Sequence, residues 1–358
     1  MKRTRDASLK RLNSFGVEAR AGELIVLETG ADLQAFAADF HFDPEGDLVL
    51  GGGSNILFAG DVGGCVVLNR LAGKTIVEDD GKTAVVDVAA GENWHGLVTW
   101  SLEQNLAGIE NLSLIPGLAG AAPIQNIGAY GVELSDVLGS VTVLDLVKGG
   151  VREFTAADCG LGYRESRFKT ADAGRYMVTR IRLHLSREFR PRLAYAGLRD
   201  ELQAMGVSDP TATQVSEAVV RLRRRKLPDP AVEGNAGSFF KNPVVSDEFA
   251  TALRDSHPGM PVLPVGDGKA KLSAAWLIER LGWKGRAIGG AAVSERHALV
   301  LVNRDGATGA QLLELAVAIQ TSVKREFGIA LEPALLPEPR MHFDMHGQAR
   351  RPVAVSCF

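Results

Sequence analysis

Asp47-Leu48-Val49-Leu50-Gly51-Gly52-Gly53-Ser54-Asn55-Ile56-Leu57-Phe58 reads as a short buried strand that breaks into a glycine turn and then resumes as an apolar run. A strand feeding such a turn leaves backbone N–H groups free to cradle an anion. The spacing is not Gly-x-Gly-x-x-Gly and no helical pattern follows, so a Rossmann fingerprint is absent. Gly73-Lys74-Thr75 and Gly81-Lys82-Thr83 have Leu68 and Ile76 where a P-loop needs its first glycine, and both read as turns.

Outward from that turn, the totals narrow the class. A chain of 358 residues exceeds one ordinary core, so two or three domains are expected. Hydrophobic content of 46% and charged content of 23% suit a soluble globular protein. A net charge of -3 argues against nucleic-acid binding as the main role. No apolar run reaches membrane-spanning length, and the basic start Met1-Lys2-Arg3 lacks the apolar core of a signal peptide. Cys65, Cys159 and Cys357 lie too far apart for a zinc set or a disulfide framework, which suits a reducing cytosol.

Several elements are legible along the chain. Thr83 to Val88, Val141 to Val147 and Ala298 to Val302 are expected strands. Met177 to Leu185 alternates, with Arg180, Arg182 and His184 on the polar face. Trp94 to Leu106 is an expected helix capped by Asn93. Gln214 to Arg225 is an amphipathic helix ending in a basic run that the helix dipole partly explains. Lys271 to Leu281 is expected to be helical, and Gly328 to close a helix from Leu312 to Val323. His342-x-x-x-His346 around Asp344 sits in a tail of mixed composition and is set aside as a metal site.

Three stretches carry candidate chemistry. Pro116-Gly117-Leu118-Ala119-Gly120-Ala121-Ala122-Pro123-Ile124-Gln125-Asn126-Ile127-Gly128-Ala129-Tyr130-Gly131 is a small-residue run against which a flat ligand could lie, or else a long structural loop. Gly162 to Lys169 mixes cations with Tyr163 and Phe168. Gly234-Asn235-Ala236-Gly237-Ser238-Phe239-Phe240-Lys241-Asn242-Pro243 holds Ser238 on an irregular, tightly turned segment with Phe239 and Phe240 as anchors. Leu227-Pro228-Asp229-Pro230 stops the preceding helix and delivers the chain to it.

Together, Gly51 to Asn55, Pro123 to Gly131, Tyr163-Arg164-Glu165-Ser166, Leu227 to Pro230 and Gly234 to Pro243 resemble the UDP-N-acetylenolpyruvoylglucosamine reductase family. The resemblance runs from Asn13-Ser14-Phe15 to about Leu331. Tyr195-Ala196-Gly197-Leu198 resembles the version with an extra tyrosine loop over the substrate. The resemblance implies an α+β fold in three domains. Two would form a vanillyl-alcohol-oxidase-type FAD-binding unit, residues 1–70 with 329–340 returning to it, and 71–222. Residues 223–328 would bind substrate, and 341–358 would be a tail.

The same resemblance implies FAD as cofactor, NADPH as hydride donor and UDP-N-acetylglucosamine enolpyruvate as substrate, in a cytoplasmic enzyme expected to be a monomer. FAD would contact Gly51, Gly52, Gly53, Ser54, Asn55, Pro116, Gly117, Gly120, Ala121, Ile124, Gln125, Asn126, Gly128, Ala129, Tyr130 and Gly131. Hydride from the flavin would add to the enol ether. Arg164 would hold the carboxylate toward which charge develops, and Ser238 would protonate the adjacent carbon. Tyr163, Tyr195, Lys226 and Asn242 would line the substrate site, with Lys241 behind. The family's C-terminal catalytic glutamate falls on Ala334 when aligned without a gap. A four-residue insertion, Ala334 to Pro337, would instead make it Glu338, the reading preferred here, with Glu332 as the alternative. An oxidase of another small molecule and a UDP-sugar-binding protein without catalysis are the competing classes.

Overall fold

In the first sheet, strands Lys2–Ser8, Arg20–Leu27, Val62–Asn69 and Leu48–Leu50 lie side by side in that order, the first pair antiparallel and the other two joins parallel. The structure is a computed structural model and describes residues 1–195, 197–334 and 354–355. Val66, Val67 and Leu68 are all buried, as the uninterrupted apolar run of a strand covered on both faces requires. On one side Val67 joins Ile25, Leu27 and Val49 under Phe36 of helix Gly30–Asp39. Thr29 and Asp32 form a capping box that starts this helix. On the other side Val66 and Leu68 enter the main core.

The second sheet is antiparallel throughout, in the order Val151–Thr155, Leu138–Asp145, Tyr176–Ser186, Thr83–Ala89, Lys74–Asp79. The expected alternation holds in its central strand. Ile181, Leu183 and Leu185 are buried, while Arg180 and Arg182 reach Asp87 and His184 is exposed. Helix Trp94–Glu103 starts where expected, with Asn93 Oδ1 accepting from the Gly96 N–H at 2.8 Å. Helices Leu198–Ala204 and Ala212–Lys226 then pack on each other around Leu202, Val215, Val219 and Leu222. Because the second runs unbroken to Lys226, the expected boundary at 222/223 falls inside a helix. The chain changes direction only at the extended Leu227.

The last part holds two more antiparallel sheets. One runs Gly234–Ser238, Val300–Asn303, Ala291–Val293, Ala287–Ile288 and packs on helix Gly309–Phe327, which Gly328 closes with φ +70°. The other runs Val244–Ser246, Lys269–Leu272, Val262–Gly266. One apolar cluster extends from Leu9 to Leu331 and joins these four larger sheets. The architecture is α+β.

Four expectations change. Lys271 to Leu281 is not one helix: Lys271 and Leu272 end a strand, Ser273 caps, and the helix is Ala274–Arg280. Apolar residues in a strand and in the helix that follows gave one continuous periodic signal. The run 116–131 is no open loop, since Ala119–Gln125 forms a 3-10 helix and Gly128–Ala129 pairs with Val132–Glu133. Ser238 ends an edge strand whose register shifts between Asn235 and Ser238, which is the bulge that the glycines permit. The described part of 329–340 does not return to the first sheet. Lys241 N–H donates to Glu332 O and Ala334 N–H to Phe239 O, so Glu332 to Ala334 runs along the Ser238 segment.

Candidate active site

The two glycine stretches form one wall because nothing but backbone separates them. A Cβ on Gly52 would lie 2.9 Å from Gly117 Cα, and one on Gly53 would lie 1.8 Å from Leu12 O. A Cβ on Gly120 would meet Ala90 Cβ at 2.4 Å. Among the described residues, the N–H groups of Gly52, Gly53, Ser54 and Asn55 have no protein acceptor. Asn55 Nδ2 is one of three buried side-chain polar atoms without a partner there. Gly53 and the Asn55 amide nitrogen are buried, where unspent donors are rare and call for an acceptor, and the half-buried N–H groups of Gly52, Ser54 and Asn55 extend the same donor surface.

A cleft of about 1350 Å³ opens on this wall. Ser54, Asn55, Pro116, Ala121, Gln125, Gly128, Ala129, Tyr130 and Gly131 line it. Gly51, Gly120, Ala121 and Ile124 line a small adjoining hollow with Tyr176. Gly52, Gly53 and Gly117 lie behind the lining. Asn126 differs from expectation: its residue is buried, and its Nδ2 is spent on Glu133 Oε2 at 2.7 Å and Gly162 O at 3.1 Å. Its Oδ1 accepts from Ser135 N–H, so it braces the wall rather than facing the cleft.

That bracing also docks the Tyr163-Arg164-Glu165-Ser166 turn. Ser166 Oγ donates to Ile124 O at 2.5 Å, and Arg164 Nη2 to Gly128 O at 2.8 Å. Arg164 adopts φ +57°, uncommon for a residue with a side chain, and its guanidinium lines the cleft. The turn is therefore not a solvated charged loop. Burial pushes the Arg164 guanidinium below its usual range, with Tyr163 and Glu133 opposing.

The facing wall carries Ser238, exposed at the end of its strand, with Lys241 and Asn242. Asn235 builds the bulge beneath: its Nδ2 donates to Pro228 O and Glu233 O, and its Oδ1 accepts from Gly237 N–H. Asn242 Oδ1 accepts from Ala274 N–H at 3.0 Å, which fixes its amide at the cleft edge. Lys241 pairs with Glu332 at 3.2 Å, and that carboxylate is 73% exposed, away from the cleft. Ala334, at the ungapped position of the expected glutamate, lines the cleft. Glu338 lies outside the described residues, as do His342, Asp344 and His346. No metal-holding cluster is found among the described residues.

Cations dominate the lining. Among the described residues, Arg164, Arg192, Arg223, Arg224, Lys226, Lys241, Lys271 and Arg296 share the lining with three carboxylates, Glu133, Asp136 and Asp229. Arg192 and Lys241 have carboxylate partners, whereas Arg164, Arg223, Lys226 and Lys271 have none among the described residues. Burial depresses Arg223, the Tyr130 hydroxyl opposes this, and the Arg164 charge adds to it. Two mutually repelling guanidiniums without a carboxylate make a site for polyanions. Tyr195 meets Tyr130 edge to face at 4.9 Å, and Lys226 Nζ lies 6.0 Å from its ring centroid. Lys271 Nζ lies 4.6 Å from the Tyr163 ring centroid.

Sequence reading missed Arg223, Lys271 and His297. Arg223 was absorbed into a helix-terminal charge run, and Lys271 into a helix that does not start there. His297 lines the cleft and accepts from Leu299 N–H through Nδ1. Burial holds its imidazole below the usual value, with Lys226 and Lys284 adding to the effect.

Residues 23–155 match the family model of an FAD-binding domain, and residues 229–336 match the C-terminal domain of UDP-N-acetylenolpyruvoylglucosamine reductase. Fold, cradle and matches define an FAD-containing oxidoreductase. The chain is 48% identical over 330 residues to the UDP-N-acetylenolpyruvoylglucosamine reductase of Burkholderia multivorans, covering 92% of this chain and 95% of that one. It is 50% identical over 334 residues to the Azoarcus sp. protein of that name, covering 92% and 96%. The crystal structure of UDP-N-acetylenolpyruvylglucosamine reductase from Thermus caldophilus superposes with TM-score 0.62 at 27% identity, covering 93% of this chain and 97% of that one. The chain belongs to the UDP-N-acetylenolpyruvoylglucosamine reductase family.

Proposed function

We propose that the protein reduces UDP-N-acetylglucosamine enolpyruvate to UDP-N-acetylmuramate with NADPH, supplying peptidoglycan precursors. The carrying observation is that one cationic cleft joins the wall of unspent N–H donors to the Ser238 strand and the Arg164 turn. The donors of Gly52 to Asn55 and the free Asn55 amide fit a dinucleotide's pyrophosphate and polar rim. Ser54, Asn55, Pro116, Ala121, Gln125 and the 128–131 hairpin would hold FAD, with Gly52, Gly53, Gly117 and Asn126 shaping the wall behind them. Bound FAD supplies the hydride that it has taken from NADPH.

The chain's own residues do the rest. Arg164 grips the substrate carboxylate, and its fixed charge stabilises the negative charge that builds there as the terminal carbon is reduced. Ser238 gives its hydroxyl proton to the adjacent carbon. Lys226 and Lys241 bring positive charge to the same cleft to offset the alkoxide left behind. Tyr195, Tyr163 and Asn242 orient the sugar nucleotide. Glu338 supplies the family's C-terminal carboxylate, a reading supported by Ala334 in the cleft wall and by the pairing of Glu332 with Lys241. We read the protein as a monomer that works in the cytoplasm, at the start of wall growth, cell shape and division, as its substrates imply.

The test is anaerobic. Purified protein should be yellow, NADPH should bleach it, and the enolpyruvyl sugar nucleotide should restore the colour and accelerate NADPH oxidation. No acceleration by that substrate would refute the proposal.

A further inference from the structure

Asn111 sits in the 3-10 turn Glu110–Leu112, fully buried and outside the cleft lining. Its Nδ2 donates one hydrogen to Tyr130 O at 2.8 Å and the other to Arg192 O at 2.9 Å. Those carbonyls belong to different pieces of chain. Tyr130 turns the hairpin of the small-residue run at φ +51°, and Arg192 lies three residues before Tyr195. The Tyr130 ring meets the ring of Tyr195, three residues beyond the second tie, edge to face at 4.9 Å in the cleft. Among the described residues Asn111 Oδ1 has no partner, so the ties made there are those of its two donors. The same turn reaches the cationic helix, through Ser113 Oγ to Ser216 Oγ at 2.7 Å and Arg223 Nε to Leu114 O at 3.1 Å.

We infer that Asn111 is a positioning residue that sets Tyr195 against Tyr130 over the cleft by fastening the 187–195 segment to the flavin-side hairpin. The inference deepens the reductase reading and rests on it for the substrate concerned. Tyr195 is 44% exposed, and its local contacts are the Tyr130 ring, the Lys226 ammonium and a Leu198 N–H bond to its carbonyl. The Asn111 tie fixes the backbone that leads into it. In Asn111→Asp a carboxylate oxygen replaces the amide nitrogen, and both ties become oxygen–oxygen repulsions.

The test is a double-mutant cycle on the holoenzyme with Asn111→Asp, Tyr195→Ala and the pair. Asn111→Asp should raise the sugar-nucleotide KM about tenfold, hold kcat within about twofold and retain FAD, as loss of ground-state binding predicts. In the pair, KM should be no worse than in Tyr195→Ala alone. Additive KM effects, or a fall in kcat at unchanged KM, would overturn the inference. If Asn111→Asp does not hold FAD, Asn111→Ala goes through the same cycle. Failure of both to hold FAD assigns Asn111 to the scaffold and overturns it too. Amide hydrogen exchange over 189–195 reads the tie without substrate: faster exchange in the Asn111 variant supports it, and unchanged exchange overturns it. A wild type that ignores the enolpyruvyl sugar nucleotide fails the reductase reading, and exchange still decides on Asn111.

Discussion

Gly53 and Gly237 both have positive φ, +61° and +71°, and both stand in glycine-rich motifs, yet they do different work. A side chain on Gly53 would enter the Leu12 carbonyl, whereas one on Gly237 would meet nothing within 4 Å. Around Gly53 the missing Cβ lets backbone rest on backbone, which makes a wall. At Gly237 it lets the chain bulge, which aims Ser238. In the first region glycine is a packing requirement; in the second it is a conformational one.

Replacing Gly53 by Ala should be the most damaging change, because backbone must move to admit the Cβ. No folded, yellow protein is expected, as for losses above about 4 kcal/mol, read by flavin absorbance and cooperative unfolding. A stable, flavin-bearing Gly53→Ala would erase the distinction. Ser238→Ala should lower kcat by about 10²–10⁴ with FAD content and melting temperature unchanged, since the truncated hydroxyl is exposed; stopped-flow reoxidation by substrate measures it. Gly237→Ala should cost only about 1–2 kcal/mol for the left-handed conformation, seen as a lower denaturant midpoint with FAD retained. A loss as severe as that at Gly53 would place hidden packing at the bulge.

The smallest effect concerns pH. His297 has its folded value depressed, so the unfolded chain binds more protons as pH falls through about 6.5. The contribution to stability is present above that value and is lost on acidification. His297→Gln should therefore show a smaller drop in urea midpoint from about pH 7 to about pH 5.5 than the wild type. An equal drop would show that burial of this ring is not coupled to folding.

Local rules carried the sequence reading where local forces decide. Alternation placed Ile181, Leu183 and Leu185 inside, and Asn93 and Gly328 mark helix ends because their backbone and capping chemistry is short-range. Motif resemblance singled out Ser238, Arg164, Tyr163 and Tyr195, which all line the cleft. Long-range placement was not legible. The split of 269–280 into strand and helix depends on the pairing of Lys271 with Val244 and Leu263. Arg223 becomes a cleft residue only because its helix packs across the 110–114 turn. Asn126 lies within a motif for FAD contact but turns inward, since its αL backbone, φ +45°, points the amide at Gly162 and Glu133.

Asn13-Ser14-Phe15 is a strap between the two regions. Ser14 N–H donates to Gly53 O, Asn235 N–H donates to Ser14 O, and Asn303 Nδ2 donates to Phe15 O. A Cβ on Gly234 would strike Phe15 O at 2.2 Å, so no slack remains there. The strap works as a ruler: one residue, Ser14, bonds to both sides and fixes the spacing between the glycine wall and the Ser238 strand. Parting the two walls at this seam would break the bonds at both ends of Ser14 together, so the cradle and the Ser238 strand keep one register.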